Sequence, residues 1–365
     1  MRIVIWGYYG TNYGDDIMLL ELIKGLQASQ IEIEVVDIYG SNLKKKYGHL
    51  SEVKFINFDI MNKFQKLKAL YHFARANINI WGGGTVFTES DGDGNYKWFN
   101  IIKKFGGNIG YVGVGIGDLQ SEERIRKTKW LLRKSKLAVF RDGNSLNKAK
   151  SYNPDKQYYS AEDLSYLYFK DQNFSESSVN EFNSKYILVT WRNLRNYLHK
   201  DDENSLMVNV VSVLEEMITK KGIASEVVLA ALDTNHDFES CQELNKKLAE
   251  VGIKSVINSN SSISNISALI KNCTFHFSGR LHGSVASELM SIPTLSLSYS
   301  PKVTYFYNSI NSKNFIDVYN RPKIRLDDVL RILKTEVNQD QVKFLHSKVL
   351  ESQNNITYLL DTFKK

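Results

Sequence analysis

Cysteine is nearly absent: only Cys241 and Cys273 occur in 365 residues. That excludes a disulfide framework and a cysteine-rich metal cluster, and it suits a reducing cytoplasm. Long apolar runs are missing as well, so no stretch predicts a membrane-crossing helix. The opening residues Met1 to Gly7 turn polar after a few apolar positions and do not read as a signal peptide. The seven histidines show no metal-ligand spacing. Asp91-Gly92-Asp93-Gly94-Asn95 resembles part of a calcium loop but lacks the closing glutamate. No metal is expected. A dinucleotide fingerprint also fails, because after Gly113, Gly115 and Gly117 the sixth position is Asp118. No nucleic-acid motif is found.

What is present is the composition of an ordinary globular protein, 42% hydrophobic and 24% charged, long enough for two domains. The net charge of +7 is lopsided. Residues 1–170 carry 25 Lys and Arg against 18 Asp and Glu, whereas residues 171–365 carry 22 of each. An anionic substrate, an anionic lipid surface or a nucleic acid would each suit the basic half.

Short apolar strands alternate with helical stretches in both halves. In the first they are Ile3–Trp6, the edge-like Ile31–Val36, Ile78–Trp81, Ile109–Val114 and Leu137–Phe140. In the second they are Tyr186–Trp191, Val227–Leu232, Lys254–Ile257, Thr274–Phe277 and Thr294–Leu297. The pattern predicts two Rossmann-like α/β lobes with mostly parallel sheets. The polar stretch from Lys170 to Ser178 marks the boundary, giving lobes at 1–170 and 184–325 and a helical segment at 326–365 that packs back across the junction.

In such sheets ligands bind at the carboxyl ends of strands, and there the loops carry chemistry. Ser278-Gly279-Arg280-Leu281-His282 joins a strand to a helix rich in small residues. Arg280 offers a bidentate fork for an anion, His282 a proton that moves near neutral pH, and the helix N-terminus a favourable dipole. Surface pairing of Arg280 and capping by His282 are the plainer roles. Gly7 to Asp16 is a glycine-rich loop in which Gly10, Asn12 and Tyr13 suit sugar hydroxyls. Asp15 or Asp16 serves there either as a general base or as a helix cap. Gly82-Gly83-Gly84 follows another strand and suits close approach to a ligand. Arg192 ends the first strand of the second half, and Asp142 or Asn144 caps a helix. Two basic, aromatic-studded stretches, Lys63–Arg75 and Arg124–Lys136, fit either a membrane surface or an ordinary core-facing helix.

In this order, these pieces resemble the polysaccharide pyruvyl transferase family: Asn12 to Asp16, Gly82 to Gly84 with Phe87, Gly115 to Gly117, Arg141-Asp142 with Ser145, Trp191-Arg192, and Ser278 to His282 followed by Ala286, Pro293, Tyr299 and Lys302. The resemblance implies a fold like that of GT-B glycosyltransferases. It implies phosphoenolpyruvate as co-substrate, with no other cofactor, and a saccharide acceptor linked to a lipid such as undecaprenyl diphosphate. Arg280, Leu281, His282 and Arg192, with Ser278 and Lys302, are then the donor-binding set. Gly10, Asn12, Tyr13, Gly83 and Gly84 face the acceptor, and His282, Asp16 and Asp15 are the catalytic candidates. The expected setting is the cytoplasm, at the inner membrane face, and the sequence is compatible with a homo-oligomer. The family's mid-chain donor-site histidine has no counterpart, since no histidine lies between His72 and His199. A nucleotide-sugar glycosyltransferase of the same architecture, in which Glu288 is the nearest acidic residue and faces outward, is the first competing reading. A non-catalytic assembly component is the second.

Overall fold

The computed structural model describes residues 1–89, 92–170, 184–320, 323–335 and 339–364. The chain divides into two compact units, one of residues 1–171 with 347–365 and the other of residues 172–346. The expected boundary stretch lies outside the described residues from 171 to 178, as does Asp91 of the acidic turn.

In the first unit the strands are β1 (Arg2–Trp6), β2 (Glu32–Asp37), β3 (Val53–Asn57), β4 (Ile78–Gly82), β5 (Thr85–Phe87), β6 (Ile109–Ile116), β7 (Leu137–Phe140) and β8 (Tyr159–Ser160). They form one parallel sheet in the order β3-β2-β1-β4-β6-β7-β8, with β5 added against β6. The continuous apolar reading of β1 has a direct cause. Ile3 and Ile5 enter the core on one face of the sheet, while Val4 and Trp6 enter the core on the other. Residues 347–365 pack with this unit, where Lys348 meets Glu162 at 2.7 Å and the Ser352 hydroxyl donates to the Asp163 carbonyl.

In the second unit the strands are β9 (Tyr186–Thr190), β10 (Glu226–Leu229), β11 (Ser255–Ile257), β12 (Phe275–Ser278), β13 (Thr294–Ser298) and β14 (Phe315–Asp317). Their order is β11-β10-β9-β12-β13-β14, again all parallel. Both orders step outward from a central strand in two directions, and loops from the two directions meet at that reversal.

Two local expectations need correction. The alternating strand around Glu32 and Glu34 is not at the edge but lies between β1 and β3. Its Glu34 is buried; Lys54 at 2.8 Å and Arg2 at 3.9 Å supply the charge that makes burial tolerable, and His72 shares a hydrogen bond with it at 3.0 Å. Neither Asp15 nor Asp16 caps the first helix, Tyr13–Gln27. Asn12 does, in extended conformation, its side chain accepting from the Gly14 and Asp15 amides.

Candidate active site

In the second unit three strand-end loops converge. Gly279 follows β12, and a Cβ there would lie 2.5 Å from the Thr190 carbonyl oxygen and 2.6 Å from the Arg192 amide nitrogen. Only glycine lets these two loops lie in contact. Arg280, next in sequence, turns its Nε and Nη2 onto Asp237 at 2.5 and 2.7 Å, and Nη2 also lies 3.3 Å from Asp233. Burial opposes the Arg280 charge, and Asp237 with Asp233 outweighs it and pushes its pKa up. Asp237 is fully buried and also accepts from the Asn193 amide, so it ties the loops after β9, β10 and β12 together. The fork expected to meet a ligand is thus occupied along one edge, leaving Nη1 as the edge it can present.

Arg192 is arranged differently. Its Nη1 donates to the Tyr299 hydroxyl at 3.1 Å and its Nη2 to the Tyr197 hydroxyl at 2.8 Å. Its guanidinium lies 4.1 Å from the centre of the Tyr299 ring, and its Nε is buried without a hydrogen-bond partner among the described residues. Burial raises the Tyr299 pKa, but Arg192, Lys302 and Arg280 overcome it and bring the phenol down to about 8. A buried tyrosine shifted that way reports a strongly positive local potential. His282 stands half-buried in the first turn of the Leu281–Leu289 helix, and Leu281 is buried beneath it. The Ser278 hydroxyl donates to the Arg280 carbonyl and so fixes the turn. His276, on β12 itself, is a core residue. It is held between Thr190 and Ser287, and burial drives its pKa down to about 3.

Glu288 does not face outward. It hydrogen-bonds with Gln341, and burial pushes its carboxyl up to about 7 against the help of Tyr307 and Gln341.

In the first unit, Gly83 and Gly84 both have positive φ (73° and 79°), and a Cβ on Gly83 would strike Met18. Gly10, at φ 99°, presents its amide to Asp16 at 2.5 Å. Asp16 is buried and bound by Lys46 at 2.7 Å; burial raises its pKa against Lys46, Gly10 and Tyr47. Asp15 is half-buried, with Oδ1 3.0 Å from where a Cβ of Gly84 would stand. Tyr13 is buried. Tyr8 and Tyr39 meet edge to face at 5.1 Å, and burial together with Tyr8, Asp93 and Asp15 raises the half-exposed Tyr39 to about 12. Carboxylates and tyrosines therefore share this strand end. Arg141 pairs with Asp163 at 2.8 Å and donates to Thr85, and Asp142 caps its helix through the Ser145 amide.

Sequence reasoning named Tyr299 only through resemblance and missed Asp233, Asp237, Tyr197, Tyr39 and Lys46. The available signal was Asp233-Thr234-Asn235-His236-Asp237, an acidic pair in a strand-end loop. Among the described residues no group of three or more His, Cys, Asp or Glu is placed to hold a metal.

Two Rossmann-like units with parallel sheets and glycine-rich loops at their strand ends define a GT-B-like fold. The solved structures the chain is similar to share that fold. They include a UDP-N-acetylglucosamine 2-epimerase from Listeria monocytogenes described as putative (10% identity, TM-score 0.67, covering 100% of this chain and 97% of that one). The UDP-GlcNAc 2-epimerase from Methanocaldococcus jannaschii is another (12%, 0.66, 99% and 100%). A third is the S. aureus MnaA–UDP complex (13%, 0.64, 100% and 98%). At these identities the likeness concerns the fold alone. No curated protein sequence matches the chain. The family model for polysaccharide pyruvyl transferase matches residues 12–301, and the chain belongs to that family.

Proposed function

We propose that the protein transfers a pyruvyl group from phosphoenolpyruvate to a saccharide as a ketal, the saccharide being a lipid-linked precursor of a cell-surface polysaccharide. The supporting observation is the positive potential around buried Tyr299: the Arg192 guanidinium lies 4.1 Å and Lys302 Nζ 5.3 Å from the centre of its ring, and both, with Arg280, draw its phenol below its ordinary value. A donor bearing both a carboxylate and a phosphate suits such a potential. Arg192 and Lys302 grip the anion, and Arg280 contributes its Nη1 edge while Asp237 and Asp233 hold it in place.

In the reaction a proton adds to the enolpyruvyl methylene, which becomes a methyl group and leaves a cationic centre at C2. Two sugar hydroxyl oxygens bond to C2, the C2–O bond to phosphate breaks, and phosphate leaves. Of the two hydroxyl protons released, one balances the proton taken up by the methylene and the other departs with phosphate. His282, half-buried at the helix start, is the general acid and base. Asp15, half-buried in the same loop, positions or deprotonates the acceptor hydroxyl, and Lys46 holds the neighbouring Asp16. The acceptor is read by Gly10, Gly83, Gly84 and the Tyr8–Tyr39 pair, which offers aromatic faces and hydroxyls to a sugar. Asn12 and Tyr13 shape that loop from within.

Calorimetric titration with phosphoenolpyruvate and, separately, UDP tests the donor. Saturable phosphoenolpyruvate binding that weakens at least about 100-fold in Arg192→Gln is expected, equivalent to about 2.7 kcal/mol. Binding of UDP alone would mean a nucleotide-sugar enzyme.

A further inference from the structure

We infer that the outer face of the Lys63–Ala74 helix docks on an anionic lipid bilayer. The helix follows β3 at the sheet edge and buries Leu70 and Phe73 against the core. Large apolar side chains are also exposed on the helix and in the turn before it. Ile60 and Phe64 are each 77% exposed, Leu67 is 50% exposed and Tyr71 47% exposed. Phe64, Leu67 and Tyr71, spaced three and four residues apart, share one stripe along the helix, and Ile60 lies in the turn just before it. Phe105, exposed at the end of the neighbouring Tyr96–Lys104 helix, meets Tyr71 edge-on at 5.6 Å and widens the stripe.

The surroundings are basic. No acidic residue occurs between Asp59 and Glu89, whereas Lys63, Lys66, Lys68 and Arg75 all do. The neighbouring helix ends in Lys103 and Lys104. Arg75 lies 3.7 Å from the centre of the Tyr71 ring and donates to its hydroxyl, an aromatic body with a polar fringe.

An exposed apolar stripe ringed by lysines matches a bilayer surface, where rings and aliphatic side chains enter the headgroup boundary and cations meet acidic lipid. A second copy of this chain is a poor occupant, because a two-fold contact would set this lysine fringe against itself. The Glu122–Lys134 helix provides the internal contrast. Its exposed positions, Glu122, Glu123, Arg126, Lys129, Arg133 and Lys134, are all charged. The inference is independent of the donor.

Flotation of the full chain with phosphatidylcholine–phosphatidylglycerol vesicles tests it, with phosphatidylcholine vesicles alone as reference. The expected result is binding to the anionic vesicles only, weakened by salt. F64E/L67E should reduce partitioning at least about tenfold with unchanged circular dichroism and melting, since both positions are exposed. K63E/K68E should reduce it about fivefold per residue or more, from roughly 1 kcal/mol per charge. K129E/R133E, on the contrasting helix, should change it by less than about threefold. A Phe64→Cys variant carrying a polarity-sensitive dye should shift blue only on anionic vesicles. The inference fails if the wild type does not float, if F64E/L67E floats like the wild type, or if K129E/R133E loses as much as F64E/L67E. A dimer abolished by F64E/L67E without any vesicle binding would equally overturn it.

Discussion

The two units solve the same architectural problem with opposite chemistry at their strand ends. In the first, the loop charge is negative: Asp16 is buried and answered by Lys46, whose side chain keeps 24% of its surface exposed. In the second, the loop charge is positive: Arg280 is answered by Asp237 and Asp233, whose side chains are 0% and 3% exposed. The first pair can relax toward water when broken, and the second cannot. Asp15, next to Asp16, is half-buried and lies against Gly84. In the second unit the Arg192 guanidinium meets phenol oxygens rather than a carboxylate among the described residues.

Breaking the second pair should have the largest effect. Asp237→Asn leaves a buried guanidinium short of its main counter-charge and should cost about 3–5 kcal/mol, read by denaturant unfolding. A cost near zero would mean that Arg280 swings out to solvent. Next comes Gly279→Ala, which forces a methyl group onto two backbone atoms of the β9 end. Overpacking there should cost about 1–3 kcal/mol and weaken phosphoenolpyruvate binding with it, because Arg192 is displaced. Stability lost without any loss of binding would detach Arg192 from the donor.

Asp16→Asn should be milder, about 1–2 kcal/mol, since the freed Lys46 reaches water. An effect equal to that of Asp237→Asn would erase the contrast between the units. The smallest expected effect belongs to Tyr299→Phe. The folded phenol, at about 8, titrates below its ordinary value of 10. A depressed pKa stabilises the fold above the unfolded value, and that contribution is lost as pH falls through the folded value. Stability should therefore rise by about 1 kcal/mol from pH 7 to pH 9 in the wild type relative to Tyr299→Phe. Tyrosinate absorbance should also show the phenol moving back up when phosphoenolpyruvate binds. An unmoved titration would place the anion elsewhere.

Much of the fold was legible beforehand. Ile3–Trp6, Ile109–Val114 and Tyr186–Trp191 are short apolar runs with glycine or charge at their ends, and each forms a central strand. The strands missed were β3, β5, β8 and β14, of two to five residues; β3, β8 and β14 lie at sheet margins where burial is partial, and β5 is a three-residue addition against β6. The strand around Glu34 was misplaced at the edge because alternation reads as one-sided burial. Lys54 and Arg2 answer the Glu34 charge and His72 hydrogen-bonds to it, all from remote parts of the chain, which alternation does not reveal. Of the site, Arg192 and the segment from Ser278 to His282 were legible as loop residues after strands. Asp237 was not, although it sits 43 residues from the arginine it binds.

The sequence by itself determined the kind of protein, because periodicity, glycine turns and motif order are local properties written along the chain. It specified two parallel α/β units, strand-end loops, and a helix start carrying arginine and histidine. Only the tertiary structure decided which charges cancel: Asp16 with Lys46, Arg280 with Asp237, and Arg192 against tyrosines. It also decided that the Lys63–Ala74 helix turns phenylalanine and leucine outward while the Glu122–Lys134 helix turns outward only charge. Coulomb pairing and burial depend on distances between residues far apart in sequence, and those distances exist only once the sheets have formed.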